Sequence, residues 1–367
     1  MIATRLVLLT FLLTPGLPAQ LQQEPAPCLT RPPSERPYTR NRLLDLVASQ
    51  GTNRAEYLIR TCGVSVTFSD ELEAGLKKAG AAAKVVQAVR ETAPKPAVDT
   101  LAGKIAVHAK DQLTYVYIPP GSFRMGCSEG DNECGANEKP AHPVRITKGF
   151  WIGQTEVTVE AYSRYARASS QTMPPEPVFK NTKLNPRWSG GSLPMTMVSW
   201  TNARDYCVWA GLHLPTEAQW EYAARGGTVA NRYGAIGDIS WYGDNSGPAT
   251  VDATTIWSGS DNDRNTGLLV NNGNRPHPVA RKAMNAFKLY DMLGNAAEWT
   301  ADWYQDPYYK ESPEDDPQGP STGEYHSIRG GNWMMPAKNS RVSNRGAAGA
   351  SNRSMIFGFR CSGEKIE

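Results

Sequence analysis

The chain has 367 residues, 40% of them hydrophobic and 20% charged, so it holds enough apolar material for more than one folded unit. Lysine and arginine number 39 against 36 aspartates and glutamates, and the resulting charge of +3 argues against the clustered basic excess typical of nucleic-acid-binding proteins. The 33 glycines and 27 prolines indicate a globular protein with many turns and loops.

Residues 1–20 have the organisation of a secretory signal peptide. Arg5 precedes an apolar run from residue 6 to 13, and the small residue Ala19 stands near the exit of the segment. The run is shorter than the roughly 20 residues that a membrane-spanning helix needs. We therefore expect a secreted or periplasmic protein with no transmembrane span. A lipid anchor on Cys28 is the weaker alternative, because this cysteine lies well beyond the apolar run.

Residues 28–92 are predicted to form a small helical module. Apolar residues recur there at the spacing of short amphipathic helices, Ser69 is a candidate N-cap, and Gly80 separates the last two helices. The pattern indicates packing or partner docking rather than catalysis. Residues 93–109, which begin with Ala-Pro-Lys-Pro, are predicted to be a stiff linker.

From residue 110 to 363 the pattern changes to short apolar alternations broken by Gly, Pro and Asn, which predicts an α+β fold with high loop content. One helix is expected to start at Thr158 and another near Thr201 or Asn202, ending at Gly211. A third helix follows Thr216, because Gln219 completes a capping box with it.

Residues 247–276 form a polar, turn-rich insertion. Its carboxylates, among them Asp252 and Asp261, lack the alternating spacing and terminal Glu of an EF-hand calcium loop. We expect a solvated loop in this segment.

An even number of cysteines in an exported chain indicates disulfide bonds. The six are Cys28, Cys62, Cys127, Cys134, Cys207 and Cys361. Cys127 and Cys134 enclose a short polar loop and are the strongest local pair, while Cys28 and Cys62 share the N-terminal segment. Spacing alone leaves all fifteen connectivities open.

The segment beyond residue 110 carries a series of short motifs in a fixed order. They are Gly121–Gly126, Glu138–Val144, Gln154–Thr158, Val198–Trp200, Leu214–Gly227, Leu289–Trp299, Arg329–Trp333 and Gly358–Cys361. This series resembles the formylglycine-generating enzymes, the sulfatase-modifying-factor family, over nearly all of residues 110–363. The resemblance implies a sulfatase-modifying-factor variant of the C-type-lectin-like fold and a disulfide between Cys207 and Cys361.

The resemblance breaks down at the catalytic positions. Active aerobic members carry two cysteines after the Arg-Gly-Gly-Ser-Trp block, and their thiolates bind copper(I), but here these positions hold Met335 and Ser340. Neither a thioether nor a hydroxyl can replace a thiolate that exchanges with a substrate cysteine. The serine of that block is Asn332 in this chain. We therefore expect no copper site and a catalytically silent or altered protein, in effect a pseudoenzyme.

The segment from Asp291 to Glu298 is similar to the calcium site of the family. The resemblance implies four ligands, the side chains of Asp291 and Glu298 and the backbone carbonyls of Gly294 and Ala296. Calcium prefers several oxygen ligands of this kind. A structural calcium ion is the expectation here.

The leading hypothesis is an exported protein that binds a peptide, protein or glycan through the groove of the family. The resemblance places this groove at Asn332, Trp333, Asn344 and Arg345. One alternative is an active oxidase that converts a sulfatase cysteine to formylglycine with relocated cysteines. Another is a metal- or oxygen-dependent enzyme acting on a small molecule, although the five histidines offer no pair at metal-ligand spacing.

Overall fold

The computed structural model describes residues 37–66, 68–93 and 101–366. The chain divides after Asp99 into two compact units. Within the described residues, no helix combines the length and the apolar character that crossing a membrane requires.

Several predicted features lie outside the described residues. They are the signal peptide at residues 1–20, residues 94–100 of the predicted linker, and Cys28, one half of the predicted Cys28–Cys62 bridge. These features remain predictions.

The N-terminal unit contains four short helices. They are α1 (Arg40–Ser49), α2 (Thr52–Cys62), α3 (Asp70–Lys78) and α4 (Ala83–Thr92). The hydroxyl of Ser69 accepts a hydrogen bond from Leu72 N and so caps α3, as predicted. Apolar side chains from one face of each helix pack together in a common core that includes Leu43, Ile59, Leu76 and Val89. The helical prediction is confirmed over residues 40–92.

The second unit is a mixed α+β structure in which short elements alternate with long loops. Its strands are β1 (Ile105–Val107), β2 (Thr114–Ile118), β3 (Gly121–Met125), β4 (His142–Ile146), β5 (Phe150–Gly153), β6 (Val178–Phe179), β7 (Thr182–Lys183), β8 (Ser240–Trp241), β9 (Leu293–Gly294), β10 (Ala297–Tyr304), β11 (Tyr325–Arg329), β12 (Arg345–Gly349), β13 (Phe357–Gly358) and β14 (Ser362–Gly363). Its helices are α5 (Val159–Ala168), α6 (Trp200–Trp209), α7 (Glu217–Arg225), α8 (Ile236–Ile239), α9 (Ala253–Ile256) and α10 (Asn262–Asn271). The predicted α+β fold with high loop content is confirmed.

Two four-stranded sheets organise this unit. One has the order β1-β2-β5-β14 and is antiparallel throughout. The other has the order β12-β11-β10-β13, in which only β13 runs parallel to its neighbour. Helix α7 packs against β10 and β11 of the second sheet.

The three predicted helix starts are confirmed. Thr158 caps α5 through a bond from Ala161 N, and the Thr216–Gln219 capping box precedes α7. Helix α6 starts at Trp200, behind the N-cap Ser199, and therefore one or two residues earlier than expected.

The prediction of a solvated loop at residues 247–276 is wrong. The segment contains α9 and α10, and the carboxylates of Asp252 and Asp261 accept hydrogen bonds from the first turns of these helices as N-caps. Leu269 and Val270 of α10 are buried in a cluster with Trp333. A few apolar residues therefore suffice to fold the insertion onto the rest of the unit.

Two disulfides join parts of this unit. Cys207 of α6 is bonded to Cys361, just before β14, and Cys127 is bonded to Cys134 in the loop after β3. Both bridges are the ones that the sequence analysis favours. The first closes a separation of 154 residues and the second a separation of only 7.

Buried acids of α7 form a network with arginines from the second sheet. Both oxygens of Glu217 accept from the guanidinium of Arg345, at 2.7 and 2.9 Å. Glu221 accepts from Arg225 at 2.7 Å through one oxygen and from Arg329 through the other. All five side chains are almost completely buried. The network therefore ties α7 to β11 and β12.

Removing the long-range disulfide should destabilise the protein more than removing the local one. The chain-entropy model gives about 5 kcal/mol for the Cys207–Cys361 loop and about 2 kcal/mol for the Cys127–Cys134 loop. Paired serine variants of each bridge, compared in chemical denaturation, measure the two losses. Equal losses would show that loop closure does not control the effect.

The substitution Glu221→Gln should destabilise the protein by about 3–5 kcal/mol, because it removes the buried charge that pairs with Arg225 and Arg329 and leaves Arg329 only the more distant Glu217, at 3.7 Å. Glu160→Gln is the matched control: Glu160 also pairs with an arginine four residues later, Arg164, but on an exposed helix face. Since exposed pairs contribute little, this variant should unfold like the parent protein. Similar denaturation midpoints for both variants would contradict the role given to the network.

Candidate functional site

The loop between β11 and β12 contains the residues that the resemblance assigns to the site. Two consecutive glycines with positive φ, Gly330 (95°) and Gly331 (73°), turn the chain sharply at its start. A Cβ on Gly331 would lie 2.7 Å from the carbonyl oxygen of Asn339. Only glycine therefore permits this close approach of the two ends of the loop.

Two of the predicted groove residues are packed inside the protein. The Trp333 side chain is completely buried, and its indole N–H donates to Met355 O at 3.3 Å. The side-chain oxygen of Asn332, also buried, accepts from Met334 N at 3.1 Å. Both side chains hold the loop in shape.

The other two predicted groove residues differ in exposure. The guanidinium of Arg345 is paired with Glu217 and lies over the ring of Tyr309, with 4.1 Å to the ring centroid. Asn344 is partly exposed, and its carbonyl accepts from Arg329 at 2.7 Å. Of the four residues, Asn344 is thus the one with a surface that a ligand could touch. The groove as a ligand site stays a prediction.

The two family cysteine positions lie in the same loop. Met335 is partly exposed and its carbonyl accepts from Gly243 N at 2.8 Å, whereas the Ser340 side chain is fully buried, 3.5 Å from the hydroxyl of Ser240. No cysteine in the described part of the chain is free. The described residues therefore place no thiol at these positions.

The segment that contains α9 and α10 contacts this loop directly. The indole N–H of Trp257 donates to Met334 O at 2.8 Å. Leu269 and Val270 pack in one cluster with Trp333 and Met334. The insertion therefore lies against the part of the loop that precedes Met335.

The calcium ligands implied by the resemblance fit only in part. Both oxygens of Glu298 accept from the Arg360 guanidinium at 2.7 Å, and one of them also accepts from Trp220 Nε1 at 2.8 Å. One oxygen of Asp291 accepts from Ala280 N at 2.7 Å, and the other is buried without a partner. Asp291 thus has an oxygen to offer to a cation, whereas the carboxylate of Glu298 is already neutralised by a guanidinium.

Gly294 and Ala296, the carbonyl ligands in the implied set, lie in the turn that follows Asp291. Gly294 has a positive φ of 82° and Ala296 is almost completely buried. Among the described residues, no three His, Cys, Asp or Glu side chains form a group that could hold a metal ion. Any calcium site here would need backbone oxygens in addition to carboxylates.

Glu156 is a residue that the sequence analysis does not single out. It is completely buried, and neither of its carboxyl oxygens has a hydrogen-bond partner. Burial, with a contribution from the nearby Asp291, raises its pKa well above the usual value, and burial raises the pKa of Asp291 to about 6. The sequence offers one indication of its importance: this acid stands between Thr155 and Val157, inside one of the motifs that carry the family resemblance.

A second feature missed by the sequence analysis is an open, mostly polar pocket of about 470 Å³ after β10. Its lining includes Gln305, Tyr308, Glu311, Asp316 and Gln318. Asp302 lies close to Gly319 of the same segment. Burial is the main cause that raises the pKa of Asp302, and with the charge of the nearby Glu217 this pKa reaches about 8. The pocket offers hydrogen-bonding groups to a ligand on the surface.

Comparisons with known proteins agree with the motif series. The family model described as "Sulfatase-modifying factor enzyme 1-like domain" matches residues 102–365 of this chain. A formylglycine-generating enzyme of Streptomyces coelicolor is 30% identical, over 74% of this chain and 96% of that protein. The mouse protein named inactive Cα-formylglycine-generating enzyme 2 is 29% identical, over 69% of this chain and 86% of that protein.

A solved structure shows the same architecture. PvdO from Pseudomonas aeruginosa superposes with a TM-score of 0.59 and 26% identity, over 72% of this chain and 99% of that one. Both the family description and the relatives cover the unit that contains the two sheets. The chain therefore belongs to the sulfatase-modifying-factor family.

Proposed function

We propose that this protein is an exported family member that has lost formylglycine generation and serves to bind a peptide, protein or glycan. The observation that carries the proposal is the pair Met335 and Ser340 at the family cysteine positions. Copper(I)-dependent oxidation of a substrate cysteine needs two thiolates, one of which exchanges with the substrate. A neutral thioether and a buried hydroxyl can do neither.

Two further observations support this proposal. The insertion packs against the loop through Trp257 and through the cluster around Trp333, and so covers the part of the loop that precedes Met335. The polar pocket after β10 offers a separate surface for a ligand. Export is supported by the signal-peptide pattern and by two disulfides, which persist in oxidising compartments.

An active oxidase with relocated cysteines is the second candidate. Arg341, next to Ser340, donates from its guanidinium to Cys134 Sγ at 3.6 Å. A guanidinium close to a sulfur favours the thiolate form. The Cys127–Cys134 bridge is partly exposed and is therefore one candidate for relocated thiol chemistry, beside Cys28 and Cys62.

The test is turnover of a peptide that contains the sulfatase motif Cys-x-Pro-x-Arg, incubated with the purified protein, copper and oxygen. Mass spectrometry follows loss of the thiol and gain of the aldehyde. We expect no aldehyde, while the Streptomyces coelicolor relative, run in parallel, serves as the positive control. A thiol count on the denatured, unreduced protein should find no free cysteine.

Aldehyde formation by the parent protein would overturn the proposal. The double variant Cys127→Ser/Cys134→Ser then decides where the chemistry occurs. Loss of turnover in this variant assigns it to the bridge, and retained turnover assigns it elsewhere in the chain.

A further inference from the structure

Glu156, in the segment between β5 and α5, is a buried acid whose carboxyl oxygens accept no hydrogen bond from another residue. Its exposed fraction is 0%, and both carboxyl oxygens lack a partner. Asp291 is 1% exposed and carries a third such oxygen. Buried polar groups in folded proteins are almost always satisfied, so oxygens like these indicate a missing cation, proton or water.

Backbone hydrogen bonds bring the two acids together. Tyr290 N donates to Gln154 O at 2.9 Å, which ties the segment of Glu156 to the residue before Asp291. On the other side, Val157 N donates to Phe359 O at 2.8 Å. The two carboxyl groups interact electrostatically, as expected from this arrangement.

The charges in this region do not balance. Three buried carboxyl groups, those of Glu156, Asp291 and Glu298, share a single guanidinium, that of Arg360. This guanidinium holds Glu298 with two hydrogen bonds of 2.7 Å and also donates to the carbonyls of Gly153 and Tyr290. It donates no hydrogen bond to Glu156 or Asp291 and acts on these two acids only through its charge.

We propose that a calcium ion is held between the carboxylates of Glu156 and Asp291, and that Glu298 is not a ligand. This assignment differs from the one implied by the family, which includes Glu298 and omits Glu156. Two carboxylates match the charge of a divalent cation, and an all-oxygen environment favours calcium over zinc or copper. Backbone carbonyls of the turn after Asp291 complete the coordination.

The competing explanation is that both acids are protonated or bound to water, in which case calcium has no effect. Isothermal titration with CaCl₂ after removal of calcium by a chelator, together with the thermal midpoint with and without calcium, separates the two. We expect about one bound equivalent and a higher midpoint with calcium, because a ligand that binds only the folded state stabilises it.

The substitution Glu156→Gln keeps the shape of the side chain and removes its charge. It should raise the dissociation constant for calcium by about tenfold or more, since ligand charge sets affinity at such sites. Asp291→Asn should do the same. Asp302→Asn is the matched control: Asp302 is equally buried and, with a pKa of about 8, carries a proton near neutral pH, so its amide should leave calcium binding unchanged.

The proposal is overturned if the parent protein binds no calcium, or if Glu156→Gln binds calcium as tightly as the parent. The second result would return Glu298 to the ligand set. Because binding and thermal midpoint are the readouts, neither outcome depends on catalytic activity or on the identity of the organic ligand.

Discussion

The structure of the second unit depends on buried ion pairs that cross between α7 and the adjacent sheet. The strand register places Glu298, Arg329 and Arg345 opposite one another on β10, β11 and β12. The acids of α7 lie against this row and pair with its arginines. Leaving one partner of such a pair alone in the interior is strongly destabilising, so these residues must change together or not at all.

Because of this constraint, the residues that hold the loop in place are different from those at the family cysteine positions. Arg329 precedes the loop that contains the family cysteine positions and Arg345 follows it, and both are anchored by acids of α7. Met335 and Ser340 lie between these anchors and belong to no ion pair, so residues at these positions can change while the loop keeps its path. A family fold without the family reaction is therefore physically consistent, because function is located in the site and not in the scaffold.

Local sequence signals predicted what depends on local contacts. The capping residues Ser69, Thr158 and Thr216 marked helix starts because a side-chain oxygen meets an amide three residues later. The pair Glu217 and Arg345 was not predictable in this way, since 128 residues separate its partners. The motif resemblance predicted the fold but not the burial of Trp333 or Arg345. Their burial depends on side chains from distant parts of the sequence, which come together only when the chain folds.

The insertion and the calcium residues were misjudged for two different reasons. The acids at residues 252 and 261 are N-caps that accept from amides three residues later, a local signal that the sequence analysis passed over because the surrounding segment is polar and rich in turn residues. Glu298 looked like a free ligand because its partner, Arg360, lies 62 residues away. Only the Glu298 error stems from a partner that is distant along the chain and close in space.

We propose that this chain keeps the family fold but lacks the copper(I) site of active members. The most direct measurement is an anaerobic titration of the unreduced protein with tetrakis(acetonitrile)copper(I) in competition with a chromophoric copper(I) chelator. The account predicts that the chelator retains all the copper, because the described cysteines are bonded in disulfides and the site positions carry a thioether and a hydroxyl. One equivalent of copper(I) held by the protein against the chelator would contradict it.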